Sequence, residues 1–243
     1  MVSVFLREFG SFASSLVGYL AVGVFLVLLG LLLFVFPETS LLEYKTASLD
    51  QLFELAPWVF LLLIPAITMR SLAEERQQRT LELLLTKPIT PTQVVLGKYL
   101  ACLVLAVLAI APTLLYYYTV YQLGSPKGNL DSGAIAGSYL GLVFLAGIFS
   151  AVGLFASSLS RNQIVGFLTA ALLCFLVHFG FRYLSNLPIF VGRYDNLVQQ
   201  IGIDYHYRSI SRGLVVFADI VYFLSAAGWF LALTVANVKA QRH

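Results

Sequence analysis

The sequence predicts an all-α integral membrane protein with six transmembrane helices. Of the 243 residues, 59% are apolar and only 11% are charged, whereas a soluble domain carries about 25% charged residues. The mean hydropathy is +0.87. The apolar residues also form runs of the length that crosses a bilayer as a helix, which is about 20 residues. Because the connecting segments are short, little of the chain remains for a soluble domain.

The apolar runs define the elements of one transmembrane domain over residues 1–243. The predicted spans are residues 13–36, 54–70, 94–121, 133–159, 164–187 and 213–238. A short amphipathic helix is expected before the first span, because Val2, Phe5, Phe9 and Phe12 recur at helical spacing. A second amphipathic helix is expected over residues 71–87, where helix formers are continuous and Pro88 ends the pattern.

The distribution of Lys and Arg predicts the orientation of the chain. An even number of spans places both termini on one side of the membrane. That side carries nine of the 15 basic residues, namely Arg7, Arg70, Arg76, Arg79, Lys87, Lys98, Arg161, Lys239 and Arg242. Short cytoplasmic loops are enriched in basic residues. Both termini, and the helix over residues 71–87, are therefore expected in the cytoplasm.

Several classes of function are disfavoured by the residues. The basic residues lie at the ends of apolar runs rather than on one face, so no nucleic-acid partner is expected. Gly97-Lys98 is followed by Tyr99 and lacks the earlier glycine of a phosphate-binding loop. We therefore expect a non-catalytic chain that binds no cofactor, and any ATP hydrolysis must occur on another chain.

The segment over residues 71–87 carries the strongest functional signal. Glu75 precedes Arg79 by four residues, which is the favourable order for a helical ion pair. Leu81, Leu84 and Leu85 form an apolar stripe. Two interpretations fit this pattern: a solvated connector, or a docking surface for a cytoplasmic partner.

The motif in this segment resembles the membrane subunits of type 2 ABC exporters. It reads Glu74-Glu75-Arg76, then Thr80-Leu81-Glu82, then a leucine run and Pro88. Arg79 stands where that family commonly has glycine. The run from Ala56 to Arg70 and the later Asp131-Ser-Gly resemble one branch, the permease subunit of the gliding-motility-associated ABC transporter of gliding bacteria.

The resemblance implies a permease of the bacterial inner membrane that works with a second copy of itself or with a different membrane subunit. A cytoplasmic ATPase subunit, carrying ATP and Mg, would dock on the coupling helix. The implied coupling residues are Glu74, Glu75, Arg76, Arg79, Thr80, Leu81 and Glu82. Residues 2–12 would form the family's interfacial helix, and residues 188–212 its outer re-entrant element.

Two further groups of residues are candidates for roles inside the membrane. Asp219 is expected about 10 Å below the outer end of the sixth span, with His178, Arg182 or Arg212 as its partner. Because a charge inside the membrane is costly, we expect Asp219 to have a role, either as a polar clamp between helices or in a substrate path. Small residues at close spacing favour tight helix packing in the fourth span. They are Gly133, Gly137, Gly141, Gly147 and Gly153.

Two alternative functions agree less well with the sequence. An ATP-independent secondary transporter or channel would show several intramembrane ionisable groups and a repeat between halves, whereas the sequence has one such aspartate and no evident repeat. Glu74, Glu75 and Arg79 superficially match the paired-glutamate motif of intramembrane prenyl-protein proteases. Those enzymes also need histidines on later spans, and His178 alone does not complete such a site.

Overall fold

The computed structural model describes residues 1–41, 48–78, 89–124, 127–190, 192 and 194–240. Within these ranges the chain forms helices and no strand. Six of the helices are long and apolar enough to cross a membrane. The prediction of an all-α membrane protein with six spans is confirmed.

The helices follow one another as an up-and-down bundle. Their bounds are α1 Val2–Ala13, α2 Leu16–Phe34, α3 Asp50–Gln77, α4 Pro91–Ile110, α5 Leu114–Leu123, α6 Ser132–Leu159, α7 Gln163–Phe175, α8 Phe181–Ser185, α9 Asp195–Ile201, α10 Ile203–Ile210 and α11 Phe217–Ala240. A 3₁₀ turn over Ala111–Thr113 joins α4 to α5, and a π-helical turn over Leu176–Gly180 joins α7 to α8. Each of these pairs makes one span.

Side-chain caps explain where several spans begin. Ser15 accepts a hydrogen bond from the Gly18 N–H at the start of α2, and Asp131 accepts one from the Ala134 N–H at the start of α6. Before α4, the Thr90 hydroxyl accepts from the Gln93 N–H while the Gln93 side chain accepts from the Thr90 N–H, both at 3.3 Å. This reciprocal pair satisfies donors that the first helical turn leaves free.

The second span is longer than predicted. The sequence predicts a boundary at residue 70 between the span and the helix over residues 71–87, but α3 continues through this point to Gln77. Leu72 is fully buried and packs with Val95 of α4 and Val238 of α11. Burial of this turn between two other spans stabilises the continuous helix. Residues 79–87, which are the rest of the predicted coupling helix, lie outside the described residues.

The fourth span, α6, is the centre of the bundle. In its most apolar stretch 78% of the residues are buried, compared with 17% in α2. It packs against α3, α7 and α11. Motion of α3, α7 or α11 relative to α6 therefore changes contacts with this central helix.

Candidate functional site

Four charged side chains meet where α1 crosses the ends of α3 and α4. They are Arg7 and Glu8 of α1, Glu75 of α3 and Lys98 of α4, and we call them the ion cluster. The Lys98 ammonium lies 2.9 Å from Glu8 Oε1 and 3.0 Å from Glu75 Oε1. The Arg7 guanidinium lies 2.6 Å from Glu75 Oε1 and 3.3 Å from Glu8 Oε1. Two cations and two anions thus join three helices.

Lys98 is the most deeply buried member of the ion cluster. Its side chain has 0% exposed surface, and its ammonium donates a third hydrogen bond, of 2.6 Å, to the carbonyl of Ser71. An ammonium has three donors, so three acceptors satisfy it. A buried charge of this kind is tolerated only when it is paired and hydrogen-bonded. The position of α1 against the bundle is therefore coupled to that of α3.

The local sequence explains how α1 reaches this site. Val4, Glu8 and Phe12 recur every four residues and are the buried residues of α1. Gly97 lies under Val4, and a Cβ atom at Gly97 would stand 3.0 Å from the Val4 Cβ. Glycine thus lets α1 approach α4 closely enough for Glu8 to contact Lys98.

In the structure, the described residues among the predicted coupling residues contact different partners. Glu75 belongs to the ion cluster, whereas Glu74 binds the Nε of Arg70 at 3.0 Å. Arg76 donates a hydrogen bond to the carbonyl of Ser158 at the end of α6. The other four predicted residues, Arg79, Thr80, Leu81 and Glu82, lie outside the described residues.

A second set of polar contacts fastens α3 to α6 and α11 at the same end. The Ser157 hydroxyl accepts hydrogen bonds from the N–H groups of Leu72 and Ala73, at 3.1 and 3.0 Å, and donates to the carbonyl of Met69. Asn237 of α11 donates to the carbonyl of Ser158 at 2.8 Å. These contacts link the end of α3 to the central helix.

The opposite end of the bundle holds a separate polar group around Asp204 of α10. Arg208 Nε lies 3.0 Å from the Asp204 carboxylate, while His178 and Arg182 each approach it to 3.9 Å. Nearby, the Tyr207 hydroxyl donates to the carbonyl of Phe53 at 2.7 Å and holds α10 against α3. Burial raises the pKa of Tyr207 well above its ordinary value, so the hydroxyl stays neutral.

Asp219 has a different partner from those that the sequence predicts. Its Oδ1 lies 2.7 Å from Nδ1 of His206, whereas His178 and Arg182 gather at Asp204. The predicted depth also differs, because α11 begins at Phe217 rather than at residue 213 and places Asp219 in its first turn. His206 of α10 reaches this turn because α10 packs against α11.

The glycines of α6 lie at different distances from neighbouring helices. A Cβ atom at Gly137 would stand 3.1 Å from the Gly213 Cα, one at Gly141 would stand 2.8 Å from Ile210, and one at Gly147 would stand 3.1 Å from the Tyr99 hydroxyl. At Gly153 the neighbour is Thr68 of α3. Gly133 differs, because among the described residues a Cβ atom there would meet only the Asp131 side chain at the start of its own helix.

Glu8, Lys98 and His206 are among the residues of these sites that the sequence analysis missed. Glu8 carries a readable signal, since it is a carboxylate in the middle of the apolar stripe of an amphipathic helix. Lys98 is a lone ammonium inside an apolar run. His206 has no such signal, because only the fold of residues 195–210 brings it to Asp219.

Comparison with known protein families connects this architecture to transport. The family described as "ABC-2 family transporter protein" matches residues 34–201. This range exceeds half of the 243 residues and includes Glu75 and Lys98. No curated protein matches the chain. The family match and the six apolar helices agree, and the chain therefore belongs to the ABC-2 family of transporter proteins, as a membrane-spanning permease subunit.

Proposed function

We propose that this permease couples ATP hydrolysis on a separate cytoplasmic ATPase subunit to export across a bacterial inner membrane. ATP and Mg bind the ATPase subunit, and the permease moves the substrate. The observation that carries the proposal is the position of the ion cluster. Glu75 stands four residues before Arg79, where the exporter-like motif continues.

The ion cluster makes this end of the bundle respond as one unit. A push on residues 79–88 acts directly on the end of α3. Because Lys98 and Arg7 bind Glu75, the displacement also acts on α4 and α1. We propose that this unit rocks against the fifth span, α7 and α8, across a seam with a second membrane subunit.

Contacts with α6 carry the displacement through the membrane. Ser157 and Ser158 bind α3 at the ion-cluster end, and Tyr207 binds Phe53 near the opposite end of α3. Since interiors are close-packed, they transmit strain. A shift at Glu75 thus reaches the polar group around Asp204.

The surface of α2 supports a contact with lipid or with a second membrane subunit. Leu20, Val24 and Val27 of α2 are all more than half exposed. Exposed apolar surface of this extent is typical of membrane and subunit contacts. We propose that the ion-cluster end and both termini face the cytoplasm, in line with the excess of basic residues on that side.

The link to gliding motility rests on the sequence resemblance over residues 56–70 and 131–133. The family match and the fold support the broader ABC-2 assignment only. Recovery of a gliding-type ATPase subunit with the chain would support the narrower assignment, and recovery of an ATPase subunit from another branch would contradict it.

A pull-down tests the proposed partner. The tagged chain is extracted from its own membranes in mild detergent, and co-purifying proteins are identified by mass spectrometry. We expect an ABC ATPase subunit with the wild type, and its loss when Thr80, Leu81 and Glu82 are all changed to alanine. The matched control changes Thr119, Gln122 and Leu123 at the end of α5 to alanine and should retain the ATPase subunit.

Two results would contradict the proposal. A chain recovered alone under several gentle conditions would favour an ATP-independent transporter. An ATPase subunit retained equally by both triple variants would place the docking surface outside residues 80–82.

A further inference from the structure

A large polar cavity opens at the end of the bundle opposite the ion cluster. It has a volume of about 870 Å³ and lies between α8, α9, α10 and the start of α11. Small-molecule sites are usually about 300–1,000 Å³. The charged side chains that line it are Arg182, Asp204, His206, Arg208, Arg212 and Asp219.

The three arginines that line the cavity are not all engaged in close ion pairs with the described residues. Arg208 is paired with Asp204 at 3.0 Å, and Arg182 approaches the same carboxylate only to 3.9 Å. Arg212 lines the cavity and has no side-chain partner within the described part of the chain. Guanidinium groups are well suited to bind phosphate oxygens. This side of the cavity is therefore suited to a phosphate.

Asp219 lines the same cavity and provides the opposite chemistry. Its side chain is only 8% exposed, and its Oδ1 is occupied by His206. Its Oδ2 is buried without a hydrogen-bond partner among the described residues. A buried oxygen without a partner is costly, so Oδ2 would be stabilised by a hydrogen bond from a ligand in the cavity. An ammonium group would supply both the donor and the compensating charge.

The surroundings of the cavity indicate that the ligand comes from the membrane. Ile189 is 81% exposed and Phe217 is 78% exposed, as expected for side chains that contact lipid. Glu54, which lines the adjoining cavity, and Glu75 are 21 residues apart along α3. At about 1.5 Å per residue this is about 30 Å, the thickness of the hydrocarbon core. The cavity thus lies at the level of the lipid headgroups.

We propose that this cavity binds the headgroup of a phospholipid that carries both a phosphate and a primary amine, as in phosphatidylethanolamine. Arg182 and Arg212 hold the phosphate, and Asp219 Oδ2 accepts a hydrogen bond from the ammonium. Phosphatidylglycerol lacks the ammonium, and the quaternary ammonium of phosphatidylcholine has no N–H to donate. The site thus distinguishes lipids by both the phosphate and the ammonium of the headgroup. This binding does not require the ATPase subunit.

Lipid titration of the purified full chain, followed by native mass spectrometry, tests the proposal. Phosphatidylethanolamine should bind about tenfold more tightly than phosphatidylglycerol or phosphatidylcholine, as expected for a hydrogen bond to a charged group. Asp219→Asn should abolish this preference. Arg212→Gln, which changes an exposed side chain, should weaken phosphatidylethanolamine and phosphatidylglycerol about equally.

The matched control is Lys127→Gln, which removes an exposed cation outside the cavity and should leave all affinities unchanged. Equal binding of the three lipids, or an Arg212→Gln variant with wild-type affinity, would overturn the proposal. Binding of free phosphoethanolamine with no binding of the lipid would overturn the membrane origin of the ligand. Failure of these tests would leave the pull-down of the ATPase subunit unaffected, so the two proposals are tested separately.

Discussion

At the scale of single residues, Lys98 has the most demanding environment in the bundle. Its ammonium has three acceptors on two other helices. Glu8 and Glu75 are themselves about nine-tenths buried. Without Lys98, Arg7 would be the remaining cation of the ion cluster, and its side chain is 56% exposed. The stability of the cluster therefore depends on Lys98.

Changing Lys98 to methionine should destabilise the protein strongly. Two carboxylates would face one exposed cation, and breaking a buried pair costs about 3–5 kcal/mol. We expect a loss of this size in the free energy of unfolding, measured by denaturation in detergent. Lys127→Met, which removes an exposed lysine by the same change, should have no measurable effect.

A second variant separates charge imbalance from lost packing. Adding Glu8→Gln to Lys98→Met leaves one anion, Glu75, with one cation, Arg7. We expect the double variant to be more stable than Lys98→Met alone. A double variant that is less stable than the single one would contradict the assignment of the effect to unbalanced charge.

The residues that sequence reasoning found and missed differ in their physical origin. Glu75 was predicted because it stands in a recognisable local motif. Glu8 and Lys98 were missed because each is explained only by its partner, which is 90 residues away in the chain. None of the three cations predicted for Asp219 is its partner, because only the fold of residues 195–210 brings His206 to it. Pairings between distant segments are the information that one sequence lacks.

At the scale of elements, α3 and α6 approach each other closely at Gly153. A Cβ atom at Gly153 would stand 2.8 Å from the Cβ of Thr68. The Thr68 hydroxyl is fixed by its hydrogen bond to the carbonyl of Ile64 at 2.9 Å. Ser157, one turn further along α6, binds the N–H groups of Leu72 and Ala73. The two helices cannot separate here without losing these bonds.

Gly153→Ala should therefore destabilise the bundle. The added methyl group overlaps Thr68, and overpacking of a core costs about 1–3 kcal/mol. Thermal unfolding in detergent should show this loss. The matched control is Gly228→Ala in α11, where a Cβ atom would meet nothing within 4 Å; it should leave stability unchanged or slightly raised. Equal effects of the two substitutions would contradict the packing argument.

Sequence patterns predicted the existence of each span better than its ends. Long apolar runs are a local property, and all six spans were found. The second span was predicted to end at residue 70, with a separate helix over residues 71–87. Helix α3 instead continues to Gln77 because Leu72 is covered by Val95 and Val238 and because Glu75 is neutralised by Lys98. Tertiary contacts of this kind override a local pattern.

At the scale of the whole molecule, two polar ends are separated by the thickness of a membrane. One end holds the ion cluster and the other holds the group around Asp204. Both α1 and the last turn of α11 lie at the ion-cluster end, since Glu8 binds Lys98 and Asn237 binds Ser158. Determining which end faces the cytoplasm therefore also determines on which side of the membrane α1 and the last turn of α11 lie.

Labelling of single cysteines should determine this orientation. Lys127→Cys and Lys239→Cys place exposed thiols at opposite ends, and the native Cys102 and Cys174 are buried. With a membrane-impermeant maleimide, Lys127→Cys should react from outside the membrane, and Lys239→Cys only after the membrane is opened. The reverse pattern would contradict the proposed orientation.

The most direct test of coupling is the ATPase rate of the reconstituted transporter. The permease and its ATPase subunit are placed in lipid nanodiscs, and stimulation of ATP hydrolysis by the permease is measured. Glu75→Ala combined with Arg79→Ala should abolish the stimulation while the chain still inserts into the membrane. The control, Lys127→Ala with Asp195→Ala, removes one charge of each sign at the opposite end and should retain it. Stimulation at the wild-type rate in the Glu75 and Arg79 double variant would contradict coupling through this end of the bundle.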